Sequence, residues 1–100
     1  MEFKIVWTAP ALEQLRDACT YISQANPSAA ESVGDEIIRH VEVLAKFPFI
    51  GPVYSRGGGG RVREILCGSY RVFYEITEQQ RVVEILSVWH AARGSPPLEE

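Results

Sequence analysis

The hydrophobic period of this chain changes once along its length, and that change limits the fold more than any other feature. In the first half, apolar residues recur at helical spacing. Leu12, Leu15, Cys19 and Ile22 form one stripe, and Ala30, Val33, Ile37, Val41 and Leu44 form a second. In the last third the period falls to two: Tyr70, Val72, Tyr74 and Ile76 alternate with Arg71, Phe73 and Glu75. A chain of 100 residues has room for one core. Two amphipathic helices and a set of strands must share it, with the helices covering one face of the sheet in a two-layer α+β domain.

The boundaries follow from local chemistry. Residues 3–7 are short, β-branched and aromatic, and read as a strand. Thr8 is placed to cap the first helix, with Pro10 in its first turn where a missing N–H costs nothing. Asn26-Pro27 ends that helix and starts the next, so the two form a hairpin. Pro48 is expected to end the second helix, because proline disfavours helix at Phe47. Strands are expected at 61–67 and 70–76, joined by Gly68-Ser69, and at 81–89 after a turn through Glu78-Gln79-Gln80. The last is almost continuously apolar and reads as a central strand buried on both faces. The order is therefore β-α-α-β-β-β, a helical hairpin on a small antiparallel sheet. Residues 1–93 form the single domain. Residues 94–100 carry two prolines and read as a flexible C-terminal tail.

A two-residue turn at Gly68-Ser69 also implies a register. Cys67 then faces Tyr70, Leu66 faces Arg71 and Glu64 faces Phe73, so Glu64 lies on Arg71's side of the sheet. Arg63 shares the other side with Val72 and Tyr74. If the helices cover that side, burying Arg63 requires a partner.

Composition removes several function classes. No apolar run approaches the ~18 residues of a membrane span, and the N-terminus lacks the pattern of a secretory signal, so a cytoplasmic protein without a membrane partner is expected. Cys19 and Cys67 are expected to be reduced and to act as small hydrophobes. With two cysteines and two separated histidines there is no metal-ligand spacing, and no cofactor is expected. The run Gly57 to Gly60 is not followed by Lys-Ser or Lys-Thr, so it reads as a flexible connector rather than a phosphate loop. A net charge of −3 argues against non-specific nucleic-acid binding.

An ordered set of short matches runs through the chain: Trp7-Thr8, Ala11, Leu15 and Tyr21-Ile22, then Leu44, Phe47-Pro48 and Gly51. Arg63-Glu64-Ile65, Tyr70-Arg71-Val72, Tyr74, Ile85-Leu86, Val88 and His90-Ala91-Ala92-Arg93 complete it. In this order, over roughly residues 3 to 93, the set resembles the RelE/ParE toxin superfamily. The resemblance implies the toxin of a type II toxin–antitoxin, or plasmid stabilisation, system. Such a toxin inhibits growth and is held inactive by a cognate antitoxin in a toxin–antitoxin hetero-oligomer. RelE-like members cut mRNA on the ribosome, and ParE-like members inhibit DNA gyrase.

RelE-type cleavage needs a base, a cation on the scissile phosphate and an acid for the leaving oxygen. The resemblance carries one such arginine onto Arg71, and the YoeB-like branch adds a histidine at His90. The rest of the set departs from the pattern. Val62 and Glu64 stand where RelE-type members carry lysines, Ala91 stands where an arginine is usual although Arg93 lies nearby, and no terminal tyrosine follows His90. Arg71 therefore reads as a phosphate clamp or as a structural partner of Glu64 or Glu75. His90 reads as a general acid or base, or as a cap on the sheet end. The ParE reading needs no catalytic set. His90-Ala91-Ala92-Arg93 resembles the His-Gly-Ala-Arg ending of ParE-like members, Phe47-Pro48 with Gly51 leans the same way, and the acidic balance suits a protein-binding inhibitor. The ParE-like branch is favoured on these grounds. The alternatives are a ribosome-dependent mRNA endonuclease and an inactive toxin-fold binding module. Arg63, Tyr74, Arg93, Phe49, Tyr54 and Trp89 are the candidate contacts to target or antitoxin.

Overall fold

A computed structural model describes residues 2–94, Pro96 and Leu98. It begins with a short strand, β1 (Lys4–Trp7), that leads directly into α1 (Ala9–Ser23). The junction is held by Thr8. Its Oγ1 accepts the Ala11 N–H at 3.4 Å, capping the helix, and donates to the Ile85 carbonyl at 2.7 Å. After a three-residue link, α2 (Pro27–Val43) is capped in the same manner by Asn26, whose Oδ1 accepts from Ala29 N at 3.1 Å. Both caps and both first-turn prolines stand where the sequence places them.

The end of α2 differs from expectation. It stops at Val43, several residues before Pro48, with Leu44 as its C-cap. The reason is tertiary. The Ala45 carbonyl accepts the Phe3 N–H at 2.8 Å, which brings the helix exit to the start of β1 instead of into another turn. Phe47 N still bonds the Val43 carbonyl at 3.0 Å.

The strands β2 (Val62–Cys67), β3 (Tyr70–Thr77) and β4 (Val82–His90) form an antiparallel meander, and the sheet order is β1-β4-β3-β2. The β2–β3 register is the one implied by the turn, with Cys67 opposite Tyr70, Leu66 opposite Arg71 and Glu64 opposite Phe73. β4 is central, as its apolar run requires, and β1 joins its free side in parallel. Tyr74 pairs with Ile85 and Phe73 with Ser87, so Leu86 is an extra residue and β4 carries a bulge. The bulge shifts the alternation. Ile85 and Val88 both enter the core under the helices, with Ala11, Ile37, Val41, Leu44, Val72 and Tyr74. Leu86 and Trp89 both reach a smaller cluster around Tyr54, Val62 and Phe73 on the opposite face.

The segment between α2 and β2 is built, not slack. Residues 52–54 lie antiparallel along β2, with Glu64 N–H donating to Pro52 O at 3.0 Å and Tyr54 N–H donating to Val62 O at 2.7 Å. The glycine run, expected as a flexible connector, is a tight turn in which Gly58, Gly59 and Gly60 all have positive φ. Gly58 has φ +78°, and a Cβ there would lie 2.2 Å from Val62 Cγ2, so only glycine fits. Of the expected tail, Ser95, Pro97, Glu99 and Glu100 lie outside the described residues. Pro96 is buried, and Leu98 packs against the Tyr54–Phe73 cluster.

The loop after α2 is fastened by one hydroxyl. Tyr74 Oη donates to the Pro48 carbonyl at 2.7 Å and accepts the Gly51 N–H at 3.0 Å, all of it buried. A Cβ at Gly51 would stand 2.5 Å from the Glu64 carbonyl oxygen and 2.7 Å from Tyr74 Oη. Tyr74→Phe therefore leaves a buried donor and a buried acceptor unpaired, and should cost about 2–3 kcal/mol. Gly51→Ala should cost more, because backbone must move. Urea unfolding monitored by circular dichroism measures both; a Tyr74→Phe midpoint equal to wild type would show that the hydroxyl fastens nothing.

Candidate functional site

Arg71 and His90 are the two residues that a nuclease reading requires together. Their backbone positions are close, since Tyr70 pairs with His90 and Arg71 with Trp89 across β3 and β4. Their side chains leave the sheet on opposite faces. Arg71 belongs to the face away from the helices. Its Nε lies 3.0 Å from Glu64 Oε2, one Nη donates to the Gly94 carbonyl at 3.0 Å, and its guanidinium sits 4.9 Å from the Phe73 ring centre and 5.8 Å from that of Tyr54. Ion pair, backbone and two rings occupy this guanidinium from several sides, which is the geometry of a structural pin. The register-based expectation of a Glu64–Arg71 pair holds.

His90 lies on the helix side. Its ring meets Tyr70 edge-on with centroids 5.1 Å apart, and Nδ1 accepts the Ala92 N–H at 3.1 Å. That bond caps the 3-10 turn Ala91–Arg93 and leaves the neutral ring with its proton on Nε2. His90 lines a cleft of about 480 Å³ together with α1, Tyr70 and Arg93.

The remaining candidates divide. Tyr74 is fully buried and Tyr54 is 3% exposed, so neither is the surface contact suggested by sequence. Both serve packing: the Tyr54 ring meets Phe73 edge-on at 4.9 Å. Trp89 is half-buried in the same cluster. Among the described residues, Tyr54 Oη and Trp89 Nε1 are buried without a hydrogen-bond partner. Arg63 finds the partners that its burial demands, donating to Gly51 O at 2.7 Å and Phe49 O at 3.4 Å, with its guanidinium 5.0 Å from the Phe49 ring centre. Phe49 is about half exposed. With Val43, Phe47, Ile50 and Leu66 it makes an apolar surface along α2's end and the β2 edge. Arg93 is exposed, its guanidinium 4.2 Å above the Trp89 ring. The sequence reading did not single out Gln14 and Asp17 of α1 and used Tyr21 only in the family resemblance, yet all three line the cleft beside His90. Their spacing of three and four put them on one helical stripe, but nothing local tied that stripe to a distant strand end at His90.

Burial also sets the ionisation of this region. The Cys67 thiol is pushed up to about 11 by burial first and by Glu36 second. Burial raises the Tyr70 phenol, with Cys19 and Tyr21 adding to it, and raises Tyr74 against the opposing pull of the Gly51 N–H and Arg63. Cys19 and Cys67 are free thiols. Among the described residues no group of three His, Cys, Asp or Glu could hold a metal ion, and no helix is long and apolar enough to cross a membrane.

With this geometry in hand, comparison with known proteins is decisive at the family level. The family model of the ParE toxin of type II toxin–antitoxin systems, parDE, matches residues 5–94. The chain belongs to the ParE toxin family. Solved structures with the same fold include the chromosomal ParDE system from P. aeruginosa, at 18% identity and TM-score 0.72, covering 88% of this chain and 95% of that one. The RelBE2 toxin–antitoxin complex from Mycobacterium tuberculosis matches at 20% identity and TM-score 0.66, covering 90% and 99%. A mutant of the E. coli RelE toxin in the free state matches at 21% identity and TM-score 0.66, covering 94% and 88%. Among curated proteins no significant sequence relative is found. This ParE-family chain is thus a type II toxin by family, with a fold shared by ParE and RelE structures alike.

The raised thiol gives this toxin a signed pH dependence. Cys67 is favoured neutral in the fold, so its contribution to stability is complete below its ordinary value of 9.0 and is lost as pH rises toward about 11. Tyr74 acts in the same direction from 10.0 upward. Urea midpoints should fall between pH 9 and pH 11, and less steeply in Cys67→Ala; identical slopes in the two proteins would remove Cys67 from the account.

Proposed function

We propose that this toxin acts as a ParE-like inhibitor of DNA gyrase, by binding protein rather than by cleaving RNA, and that a cognate antitoxin neutralises it. The observation that carries this reading is the separation of Arg71 from His90 on opposite faces of the sheet. A cleaving site needs its cation and its acid–base group around one phosphate, within hydrogen-bond reach of the reacting oxygens. Here the cation is already held by Glu64 and the Gly94 carbonyl, while the imidazole looks into a cleft under α1. Glu64 and Val62 supply no positive charge beside Arg71, and the net charge of −3 gives no general pull toward ribosomal RNA.

An inhibitor of this kind needs surfaces instead. The apolar stretch through Val43, Phe47, Phe49, Ile50 and Leu66 supports docking of an antitoxin segment, because so many large apolar side chains in one region are unusual on a free monomer. Structures of the ParDE and RelBE systems contain toxin and antitoxin together, which supports the same partner class here.

Inducing the toxin alone in bacteria, with pulse-labelling of new DNA and new protein, tests the target. DNA synthesis should fail first while translation continues, and His90→Ala should remain toxic. Early loss of translation, abolished by His90→Ala in a folded protein, would establish the endonuclease reading instead. Loss of neither would mark an inactive binding module.

A further inference from the structure

The cleft beside His90 has an inventory of hydrogen-bonding groups that the gyrase reading does not use. Gln14 is anchored through its oxygen: Oε1 accepts from Ser87 Oγ at 3.1 Å and from Val88 N at 2.8 Å. Its amide nitrogen therefore has two N–H donors to offer elsewhere. His90 is anchored through Nδ1, which leaves Nε2–H as a donor. Tyr70 Oη has no partner among the described residues, and burial keeps it a neutral hydroxyl. Arg93 also lines the cleft, but its guanidinium sits 4.2 Å from the Trp89 ring centre. Against these donors stands one strong acceptor, the Asp17 carboxylate, exposed on α1 and without an ion pair among the described residues. At the mouth, Tyr21 is 76% exposed, a flat ring with little to pack against.

This inventory selects a ligand class. With the Asp17 carboxylate in its lining and the Arg93 guanidinium held at Trp89, the cleft has no excess positive charge to attract a phosphate. A planar, uncharged ring fits better, stacked on tyrosine and read along its edge. Of the nucleobases, guanine presents two adjacent N–H donors, N1–H and N2–H₂, which one carboxylate accepts together. It also presents two adjacent acceptors, O6 and N7, which match the amide N–H groups of Gln14 and the ring N–H of His90. Adenine has no such donor pair, and a pyrimidine lacks N7. The volume, about 480 Å³, lies within the range of small-ligand sites. We propose that the cleft between α1 and the end of β4 is a guanine-binding site. Asp17 takes the donor edge, His90, Gln14 and Tyr70 supply donors to the acceptor edge, and Tyr21 stacks. The site requires no chemistry and does not depend on the identity of the toxin's target.

Isothermal titration of the full chain with guanosine monophosphate, guanosine, the other three nucleoside monophosphates and inorganic phosphate tests it. Guanosine and its monophosphate should both bind saturably, at least about tenfold more tightly than the adenine and pyrimidine nucleotides, and phosphate alone should not bind. Asp17→Asn should abolish the guanine preference with an unchanged melting temperature, since Asp17 is exposed and unpaired. A nitrogen–proton NMR titration should place the largest shifts on the Gln14 amide and the Ala92 N–H. Absence of saturable guanosine binding, equal affinity for all four bases, binding of phosphate as tight as of the nucleotide, or an unaltered preference in Asp17→Asn would each overturn the proposal.

Discussion

The buried hydroxyl of Tyr74 is the point from which the non-helical half of this molecule is arranged. By holding Pro48 and Gly51 at once it fixes the course of the chain after α2. Gly51 then presents its carbonyl to Arg63, which satisfies a half-buried cation on the helix side of β2. Pro52 and Tyr54, one and three residues further on, are in register to pair with Glu64 and Val62 and so cover part of the exposed edge of β2. That pairing delivers the Tyr54 ring over Phe73, and the two rings form the floor on which the Arg71 guanidinium lies. A tyrosine in the helix-side core thus determines the environment of an arginine on the opposite face. Phenylalanine in its place would fill the same volume and break the connection, because the coupling runs through hydrogen bonds that cannot be re-made with water at a buried site.

The bulge at Leu86 makes the second division. Without it, strict alternation along β4 would put Ile85 and Val88 on different faces. With it, both enter the main core, and Trp89 goes to the opposite cluster while His90 returns to the helices. The last residues of the strand, on which most hopes for chemistry rest, are therefore aimed by one inserted residue. Bulges commonly re-aim a side chain near a functional site; here the effect is to part an arginine from a histidine that sequence alone would leave as neighbours.

What was legible in the sequence was local. Thr8 and Asn26 announce helix starts because a cap acts within three residues, and Gly68-Ser69 sets a register because a two-residue turn leaves no slack. That register put Glu64 on Arg71's side of the sheet, one of the two carboxylates open to it as a partner, and the structure pairs them. The parallel docking of β1 on β4, the early stop of α2 and the ordering of residues 52–60 were not legible, since each depends on a contact between distant segments. Phe3 N–H reaching Ala45 O is such a contact, and so is Thr8 Oγ1 on Ile85 O. The candidate site shows the same division. Arg71 and Glu64 are seven residues apart and could be paired on paper, whereas Gln14 and Val88 are separated by 74 positions and only the folded sheet brings them together.

Gln14 also shows how a structural role and a recognition role can share one side chain. Its oxygen accepts a backbone N–H and a hydroxyl of β4, fastening α1 to the strand where few other polar contacts cross. Because a carboxamide is a donor and an acceptor at different corners, fastening the oxygen to Ser87 and Val88 leaves the nitrogen to donate elsewhere. His90 repeats the arrangement: one ring nitrogen is committed to the Ala92 backbone, so the other is held in a fixed direction. Each group is oriented by what it gives up, and the orientation is already fixed before any ligand arrives. Donors fixed in this way lose little freedom on binding, which is the condition for selectivity from a few contacts in a shallow cleft. Arg71 illustrates the contrary case. Its guanidinium is held by the Glu64 carboxylate, the Gly94 carbonyl and two rings, so it is firmly placed within the chain.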